Sequence, residues 1–428
     1  MTPLPSNVLP MTAAATAGGR LALGGVDLVE LAETLGTPLF VYDEAHLRDA
    51  CRQAVAAFGD GVAYASKAFL CKAMATLVHE EGMCIDVSTG GEWHVARAAG
   101  VPADRLVLHG NNKSEDEMAR AVAAGVGRLV IDSFDEIDRL EKLLPALGAG
   151  PGRPISVLVR VTPGVAAHTH EYVMTGQEDT KFGFSLASGA AAEAVARAGA
   201  LGGVELAGLH AHIGSQIFLV ESFVREVEAL APFLRPLGLR ELCIGGGLGV
   251  PYVEGEAAPS LAEWAGAVRG ACAAAGIPPE VRVTAEPGRA IAAAAAVTLY
   301  RVGTIKRLPG IRTYVGVDGG MSDNPRPVLY GSGYEAFLPR APGAARALVA
   351  TIVGKHCESG DIVVRDARLP ADIAVGDILA TPVTGAYGFS MASNYNFVPR
   401  PAVVFVAGGQ ARVVVRRETF DDLVRLHE

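Results

Sequence analysis

The chain has 428 residues, half of them hydrophobic, and its formal net charge is −9. This length accommodates two domains, one of which could be a parallel barrel of roughly 250 residues. The acidic balance argues against nucleic acid and anionic membranes as main partners. Because the sequence contains no apolar run of about 18 residues, we expect no membrane span.

The spacing of the cysteines and the character of the first ten residues indicate where in the cell we expect the protein. The six cysteines form neither a C-x-x-C pair nor a zinc-ligand spacing. Residues 1–10 lack the basic segment and apolar core of a secretory signal. Both features are typical of a cytoplasmic protein whose thiols stay reduced, and we expect that location.

Eight β-rich runs alternate with helical patterns between residues 62 and 290. In the segments between them, residues 114–125 open with Ser114, a favourable N-cap residue, and residues 133–144 carry apolar side chains at helical spacing. Repeated strand–helix alternation is typical of a parallel (β/α)8 barrel, and a doubly wound open sheet is the alternative. The runs are 62–66, 84–88, 105–109, 128–132, 156–161, 206–212, 241–245 and 281–286.

Beyond residue 300 the pattern changes to Val-rich runs separated by turns, without helical patterns between them. Such runs predict a C-terminal β domain, a β-barrel or sandwich, to which residues 20–43 can add strands. The runs are 312–318, 347–354, 361–366 and 400–418. We predict an N-terminal segment, 1–43, that packs with the β domain, a barrel over 44–295 and the β domain over 296–428.

Residues capable of chemistry follow the predicted barrel strands. Barrel enzymes place their sites at the carboxyl ends of the strands. Lys67, Asp86 and His212 each end or follow a strand. The triple glycine Gly245–Gly247 follows the seventh strand, and the motif EPGR (286–289) follows the eighth. Barrels often bind phosphate at these last two loops, where bare backbone N–H groups can approach an anion.

A lysine, a carboxylate and a phosphate cradle together fit pyridoxal phosphate. Such a site needs a Schiff-base lysine, phosphate donors and an acid that keeps the ring nitrogen protonated. Lys67 follows an apolar strand, where we expect desolvation to favour a nucleophilic amine. Taken singly, Lys67 is interpreted as a surface lysine, and Glu286 fits a rim ion pair as well as it fits a binding site. Only their combination predicts the cofactor.

Two His-x-His pairs, His168/His170 and His210/His212, offer a metal site as an alternative, because alternate strand positions point to one face. No acidic residue stands at a recognisable metal-ligand spacing from them. We therefore expect no metal. We assign His212 to a position flat against the cofactor ring and leave His168 and His170 without a task.

The ordered motifs of the chain resemble those of the diaminopimelate decarboxylase family, alanine-racemase-like (fold type III) pyridoxal-phosphate enzymes. The resemblance runs from about residue 20 to the end and depends on the number and order of the motifs. They are YASKAFL (64–70), DVSTGGE (86–92), HGNNKS (109–114), HTHEY (168–172), KFGFS (181–185), HIGSQI (212–217), GGGLG (245–249), EPGRAI (286–291), VDGGMSDNPRPVLY (317–330), GKHCESGD (354–361) and TGAYGFSMASNYN (384–396).

The resemblance implies decarboxylation of meso-2,6-diaminopimelate at its D-configured centre, giving L-lysine and CO2. It implies that Lys67 carries pyridoxal 5'-phosphate, that His212 stacks on the ring and that Glu286 pairs with the ring nitrogen. The expected cofactor-binding set is Lys67, Asp86, His212, Ser215, Gly246, Gly247, Glu286, Pro287, Gly288, Arg289 and Tyr387. The expected substrate-binding set is Arg289, Arg326, Tyr330, Glu358 and Tyr387.

The resemblance also implies a homodimer in which the β domain of one subunit completes the site of its partner. Cys357 would then reprotonate the α-carbon, and Glu358 would bind the ammonium at the far end of the substrate. An acid together with Arg289 and Arg326 matches a far end that carries both charges, whereas a polyamine-type site would leave buried arginines without an anion. By itself, Arg326 is interpreted as a surface charge on a loop.

Two other functions stay open from the sequence. The nearest is a decarboxylase for another basic or carboxylated amino acid. The other is a catalytically silent relative that binds cofactor or a partner protein. The presence of Lys67, Cys357 and Glu286 argues against the silent relative, because a protein without catalysis is free to lose them.

Overall fold

The computed structural model describes residues 6–150, 152–165 and 179–428. The chain divides into two compact units. The barrel unit consists of Ala50–Gly249 and Ala258–Ala290, and the β unit consists of Met1–Asp49, Val250–Ala257 and Ile291–Glu428. The domain boundaries expected from the sequence, after residues 43 and 295, stay a prediction.

The barrel unit contains eight parallel strands that follow one another in chain order in one sheet, which confirms the predicted barrel. Ala63 N donates to Ala285 O over 3.0 Å, and Ala65 N donates to Pro287 O over 3.3 Å, so the sheet is nearly closed. We number the strands one to eight. They are Ala63–Ala65, Cys84–Val87, Leu106–Leu108, Arg128–Ile131, Ile155–Thr162, Val204–His210, Glu241–Cys243 and Arg282–Thr284, and Phe184–Ser185 pairs with strand five.

Helices alternate with these strands, and several of them begin at capping residues. Ser114 forms a capping box with Glu117, so the helix predicted at 114–125 begins at Glu115. Ser133 caps the next helix, in which Ile137, Leu140 and Leu144 are buried. The helices are Glu44–Phe58, Lys72–Glu80, Gly90–Ala98, Glu115–Ala124, Phe134–Ala146, Ala190–Ala200, Val220–Leu234, Leu261–Ala274 and the short Arg289–Ala292. Among the residues described, none of the helices has the length and apolar character needed to cross a membrane.

The two ends of the barrel differ in their contents. One residue from each of the first seven strands contributes to a single buried cluster inside the sheet: Ala63, Cys84, Val107, Val130, Leu158, Ala207 and Cys243. At the amino ends of the strands, the buried Glu241 pairs with Arg128 at 2.8 Å and also with Arg282. These charges stabilise the end where barrels carry no chemistry, so the opposite end is left for the site.

The β unit is built on a mixed sheet with an N-terminal strand in its middle. Leu39–Asp43 pairs antiparallel with Ala296–Leu308 and parallel with Ala402–Ala407, which confirms that the N-terminal segment adds strands to the β domain. Outward from this centre the sheet continues through Arg312–Val317, Leu348–Val353 and Ile362–Leu369 on one side and Gln410–Val415 on the other, and Ile378–Pro382 pairs with Ala296–Leu308. A small separate sheet contains Ala14–Ala15, Leu21–Leu23 and Val26–Asp27.

The expectation that no helix lies between the Val-rich runs beyond residue 300 is wrong between 312–318 and 347–354. Arg326–Tyr330 and Phe420–Val424 are five-residue helices. The first carries a proline within its first turn, and the second is capped by Thr419. Helices this short do not complete two turns, so they leave no apolar periodicity in the sequence. The helix Leu28–Leu35 of the N-terminal segment also belongs to the β unit.

Candidate active site

Lys67 lies in a short 3-10 turn, Ser66–Ala68, that directly follows strand one. Its side chain is exposed, so the expected desolvation of the amine is wrong: the strand ends at Ala65, and the turn carries the lysine out of the apolar segment. The charge of this amine still acts on Asp86 and His212, two residues at the carboxyl ends of the strands. Lys67 therefore differs from an ordinary surface lysine because its charge acts on ionisable residues of the predicted site.

Glu286, after strand eight, is held by two histidines from other strands. His109 Nε2 lies 2.8 Å from Glu286 Oε1, and His210 Nε2 lies 2.9 Å from Oε2. His109 follows strand three, and His210 ends strand six. Burial opposes a charge on Glu286, but the two imidazoles outweigh burial and hold its pKa well below the usual value. Glu286 is therefore a buried, ionised carboxylate.

The two histidines differ in protonation. Burial alone would lower the pKa of both. At His109 the charges of Asp86 and Glu286 outweigh burial and raise its pKa. At His210 burial dominates, and its pKa falls to about 4. His210 is thus a neutral ring that donates from Nε2, whereas the raised pKa of His109 favours a positive charge on the ring that faces Glu286.

Asp86, in strand two, presents a buried oxygen without a hydrogen bond. Its Oδ1 lies 3.9 Å from Nε2 of His109 and has no hydrogen-bond partner among the residues described. Burial raises the pKa of Asp86 to about 6, against the opposing charges of His109 and Lys67. A buried carboxylate oxygen without a donor is costly, and a ligand that brings a donor or a positive charge would relieve that cost.

His212 lies two residues beyond strand six and is fixed by the loop after strand seven. The N–H of Gly246 donates to Nδ1 of His212 over 3.2 Å, which leaves the ring proton on Nε2. Burial, with the charges of Lys67 and Arg160, keeps the pKa of His212 well below its usual value. A neutral ring held at one nitrogen suits stacking against an aromatic ligand.

The triple glycine is required by close approach of three loops. A Cβ at Gly246 would lie 2.3 Å from the carbonyl oxygen of Glu286, and a Cβ at Gly247 would lie 2.3 Å from that of Gly214. Gly247 also has a φ of 111°, which L side chains rarely adopt. The loops after strands six, seven and eight therefore pack backbone against backbone, and a side chain at Gly246 or Gly247 would force them apart.

Ser215 and Arg289 join two of these loops. Arg289 Nη2 donates to Oγ of Ser215 over 2.8 Å, and Arg289 itself is buried. Pro287 and Gly288 form the turn between Glu286 and this arginine. A hydroxyl and a guanidinium beside bare backbone are donors suited to a phosphate or a carboxylate. The donors of Ser215 and Arg289, the ionised Glu286 and the Asp86 oxygen that lacks a hydrogen bond together fit pyridoxal phosphate.

The remaining predicted residues lie in the β unit, where Arg326 is buried. It begins the helix Arg326–Tyr330, stacks its guanidinium 4.2 Å over the ring of Tyr252 and donates to the Tyr334 hydroxyl over 2.6 Å. Its interpretation as a surface charge is therefore wrong. Within the described part of the chain Arg326 has no carboxylate partner, and such a buried cation suits an anionic ligand.

Cys357 and Glu358 are exposed on a loop that Asp361 holds in place. The Asp361 carboxylate accepts from the backbone N–H of His356 over 2.9 Å and of Met321 over 2.7 Å. The N–H of Cys357 donates to Oδ1 of Asn396 over 2.9 Å. The other five of the six cysteines are buried, so Cys357 is the thiol that can meet a ligand.

Two tyrosines complete the predicted set. Tyr330 ends the short helix that Arg326 begins, and it is half-buried. Tyr387 follows the strand Ile378–Pro382 and has a φ of 61°. A non-glycine residue in the left-handed region costs about 1–3 kcal/mol and is found most often at functional sites. This strain is consistent with a binding role for Tyr387.

The sequence did not predict the roles of His109 and His210. HGNNKS follows strand three and EPGR follows strand eight, so both motifs were expected at the same end of the barrel, but a single sequence does not tell which side chains meet there. His109, His210 and Glu286 could also hold a metal ion. Each nitrogen already faces its own carboxylate oxygen at hydrogen-bond distance, so no metal is needed to explain the cluster. His168 and His170 lie outside the described residues.

Comparison with known proteins first gives the class. The family model "Pyridoxal-dependent decarboxylase, pyridoxal binding domain" matches residues 44–293. This range contains the eight barrel strands and the cluster around Glu286. The barrel is therefore that of a pyridoxal-dependent decarboxylase.

Individual relatives narrow the class. The diaminopimelate decarboxylase of Mycobacterium tuberculosis is 47% identical over 99% of this chain and 98% of its own length. That of Bacillus subtilis is 45% identical over 95% of each chain. The crystal structure of diaminopimelate decarboxylase from M. jannaschii with L-lysine has a TM-score of 0.90 at 31% identity, over 98% of both chains. The chain belongs to the diaminopimelate decarboxylase family.

Proposed function

We propose that this chain catalyses the pyridoxal-phosphate-dependent decarboxylation of meso-2,6-diaminopimelate to L-lysine and CO2, the last step of lysine biosynthesis. The full-length similarity to diaminopimelate decarboxylases supports the substrate. The structural observation that carries the chemistry is Glu286, a buried carboxylate kept ionised by two imidazoles at the same end of the barrel as the glycine loop. That is the environment a protonated pyridine ring requires.

The barrel residues would hold the cofactor in defined roles. When bound, pyridoxal phosphate supplies a protonated ring that accepts the electron pair released as CO2 leaves. Lys67 would hold the cofactor through Nζ, Glu286 would pair with the ring nitrogen, and His212 would fix the plane of the ring. The phosphate would be bound by Ser215, Gly246, Gly247, the backbone at 287–289 and Tyr387, and Asp86 would complete the cofactor contacts.

The residues of the β unit would recognise the substrate and supply a proton. Glu358 would bind the ammonium at the far end, and Arg326 with Arg289 and Tyr330 would bind the carboxylate there. The Sγ–H of Cys357 would protonate the α-carbon after CO2 departs, and solvent would return a proton to the thiolate. Arg326 supports the assignment of substrate recognition to the β unit. It is a buried cation whose described contacts are aromatic rings and a hydroxyl, so its charge suits an anionic group of the substrate.

We further propose a homodimer in which Cys357 and Glu358 of one subunit act at the barrel of the other. Both side chains are exposed on a loop that is itself well held, as a group that meets a second subunit must be. We place the enzyme in the cytoplasm, where a catalytic thiol stays reduced. Small amino acids are its expected partners, and neither nucleic acid nor membrane is expected.

Release of CO2 from a panel of amino acids tests the function. We expect the wild-type enzyme to act on meso-diaminopimelate in preference to ornithine, arginine and lysine. Glu358→Gln should lower kcat/KM for diaminopimelate about 10- to 100-fold, the equivalent of one charge-assisted hydrogen bond. Glu280→Gln is a matched control, because Glu280 is exposed in the barrel unit and has no predicted role.

The panel separates this function from its alternatives. Preference for ornithine or arginine would identify a different decarboxylase. Full activity of Glu358→Gln would remove Glu358 from the site while leaving the reaction itself intact. Release of no CO2 from any substrate by a cofactor-loaded protein would identify a catalytically silent relative. Lys67→Ala serves as the blank, since it should lose both the visible absorption of bound cofactor and all activity.

A further inference from the structure

Both carboxylate oxygens of Glu286 are occupied by imidazole nitrogens. His109 Nε2 approaches Oε1 at 2.8 Å, and His210 Nε2 approaches Oε2 at 2.9 Å. The two rings lie 4.8 Å apart, centroid to centroid, at an interplanar angle of 66°. All three side chains are buried. Each oxygen of this buried carboxylate therefore accepts from one imidazole, and the two donors have a consequence for its basicity.

The consequence follows from where a shared proton resides. When a carboxylate faces a ring nitrogen, the proton between them stays on the stronger base. A buried glutamate without donors is a strong base, with documented pKa values of about 8–9. It would take the proton from the ring nitrogen and become a neutral acid, and the ring would lose the charge that makes it accept electrons. Two N–H donors on the carboxylate oppose this transfer.

We propose that His109 and His210 are positioning residues whose N–H groups keep Glu286 a weak base, so that the proton shared with the cofactor's ring nitrogen stays on the nitrogen. This inference rests on the proposed pairing of Glu286 with that nitrogen. The histidines contribute differently: His109 has a raised pKa that favours a positive charge, and His210 is a neutral donor whose Nδ1 has no hydrogen-bond partner in the described residues.

Other ionisable groups act on this cluster. Asp86 lies 3.9 Å from His109 Nε2 and supports the charge on that ring. Arg160 weakens that charge, but Arg160 itself is paired with Asp132 at 3.3 Å. Burial keeps the thiol of Cys243 neutral by raising its pKa well above the usual value. The charges of Lys67 and Glu92 act on Asp86, and so affect the cluster only indirectly.

The pH range in which the two histidines act as proposed depends on the protonation state of Asp86. Its pKa is about 6, so below that pH it takes up a proton and its support for the charge on His109 is lost. At pH 8 Asp86 is ionised and supports a positive charge on His109. The measurements therefore belong at pH 8, with a second set below pH 6.

The test replaces the donors and reads the proton directly. Gln places an amide N–H near the position of Nε2, whereas Leu has no donor. The ring nitrogen of 15N-labelled cofactor, bound to the full-length enzyme, reports protonation by its NMR chemical shift and needs no turnover. We expect a protonated nitrogen in the wild type at pH 8. In His109→Leu/His210→Leu the protonated-to-unprotonated ratio should fall about tenfold for each pKa unit that Glu286 gains.

The single Gln variants keep the proposal testable if the double Leu variant does not fold. His210→Gln retains a neutral donor and should leave the ring nitrogen protonated. His109→Gln retains a donor but loses the positive charge, so its ring nitrogen should be measurably less protonated than that of His210→Gln. A ring nitrogen that is equally protonated in the wild type and in every folded histidine variant would overturn the proposal.

Glu286→Gln separates this inference from the proposed function. If neither Glu286→Gln nor the histidine variants change the ring-nitrogen signal, Glu286 does not pair with the ring, and the site assignment fails. If Glu286→Gln changes the signal and the histidine variants do not, the pairing stands and the role of the histidines is wrong.

Discussion

At the scale of single residues, Glu226 is a buried acid with no part in the proposed chemistry. It lies on the helix Val220–Leu234 without exposed surface, and neither carboxylate oxygen has a partner in the described structure. Burial alone raises its pKa well above the usual value of 4.5. The folded protein therefore binds this proton more tightly than the unfolded chain does. Stability from this group is complete below pH 4.5 and falls as the pH rises above it, until the folded protein also loses the proton.

Glu226→Gln should remove this pH dependence, because the amide cannot ionise. The wild type should lose stability relative to the variant by up to about 1.4 kcal/mol per pH unit above pH 4.5. Thermal unfolding midpoints of the two proteins, measured from pH 5 to pH 8, should diverge with the variant higher. Glu228→Gln is the control, since Glu228 is exposed on the same helix. Parallel midpoints for wild type and Glu226→Gln would show that Glu226 is ionised in the fold.

Individual residues also mark how far the sequence could predict the site. The barrel residues of the predicted set follow the strands as expected, because motif order and strand ends are local features. In contrast, the exposure of Lys67, the burial of Arg326 and the pairing of His109 with Glu286 depend on the tertiary structure. His109 and Glu286 are 177 positions apart. Nothing in one sequence tells which of several polar side chains at a barrel end will meet.

At the scale of elements, the glycine loop after strand seven sets the position of Glu286. Gly246→Ala would place a Cβ 2.3 Å from the carbonyl oxygen of Glu286, and backbone rather than a flexible side chain must move. We expect a loss of about 1–3 kcal/mol in stability, as for overpacking elsewhere. Cofactor affinity, measured by titration of the cofactor-free protein, should also fall, because the same loop holds His212 through the Gly246 N–H.

Gly266→Ala is the matched control for this substitution. Gly266 lies inside the helix Leu261–Ala274 and has no atom within 4 Å of an added Cβ. Alanine is favoured over glycine there by up to about 1 kcal/mol, so the control should be neutral or stabilising. If Gly246→Ala binds cofactor as well as Gly266→Ala does, the close approach at this loop has no functional consequence.

Elements also show why the fold was more predictable than its details. All eight barrel strands overlap the runs predicted from the sequence, since buried parallel strands appear as continuous apolar segments. Most are shorter than predicted; strand eight, predicted over 281–286, is Arg282–Thr284. The residues beyond its end form the loop that carries Glu286. Sequence patterns locate buried segments, and the backbone hydrogen bonds that end a strand depend on the neighbouring strand.

At the scale of the whole molecule, the predicted machinery is divided between two units. The residues expected to hold the cofactor, apart from Tyr387, belong to the barrel unit, and the expected proton donor Cys357 and the acid Glu358 belong to the β unit. In a symmetric dimer in which the β unit of each subunit completes the site of its partner, each site takes its lysine from one subunit and its thiol from the other. This arrangement has a consequence that activity measurements on mixed subunits can reveal.

Mixing Lys67→Ala with Cys357→Ala should restore activity if Cys357 acts across the dimer. Each mixed dimer would contain one site with both residues intact, so random exchange should recover about a quarter of wild-type activity. The activity of each variant alone is subtracted. The reverse mixture is equally informative: wild type with an equal amount of the double variant Lys67→Ala/Cys357→Ala should fall to about a quarter if the site is shared, but only to about half if each subunit uses its own thiol. Native mass spectrometry of the mixtures verifies exchange. A value near one half, with no recovery in the first mixture, would place Cys357 at the site of its own subunit.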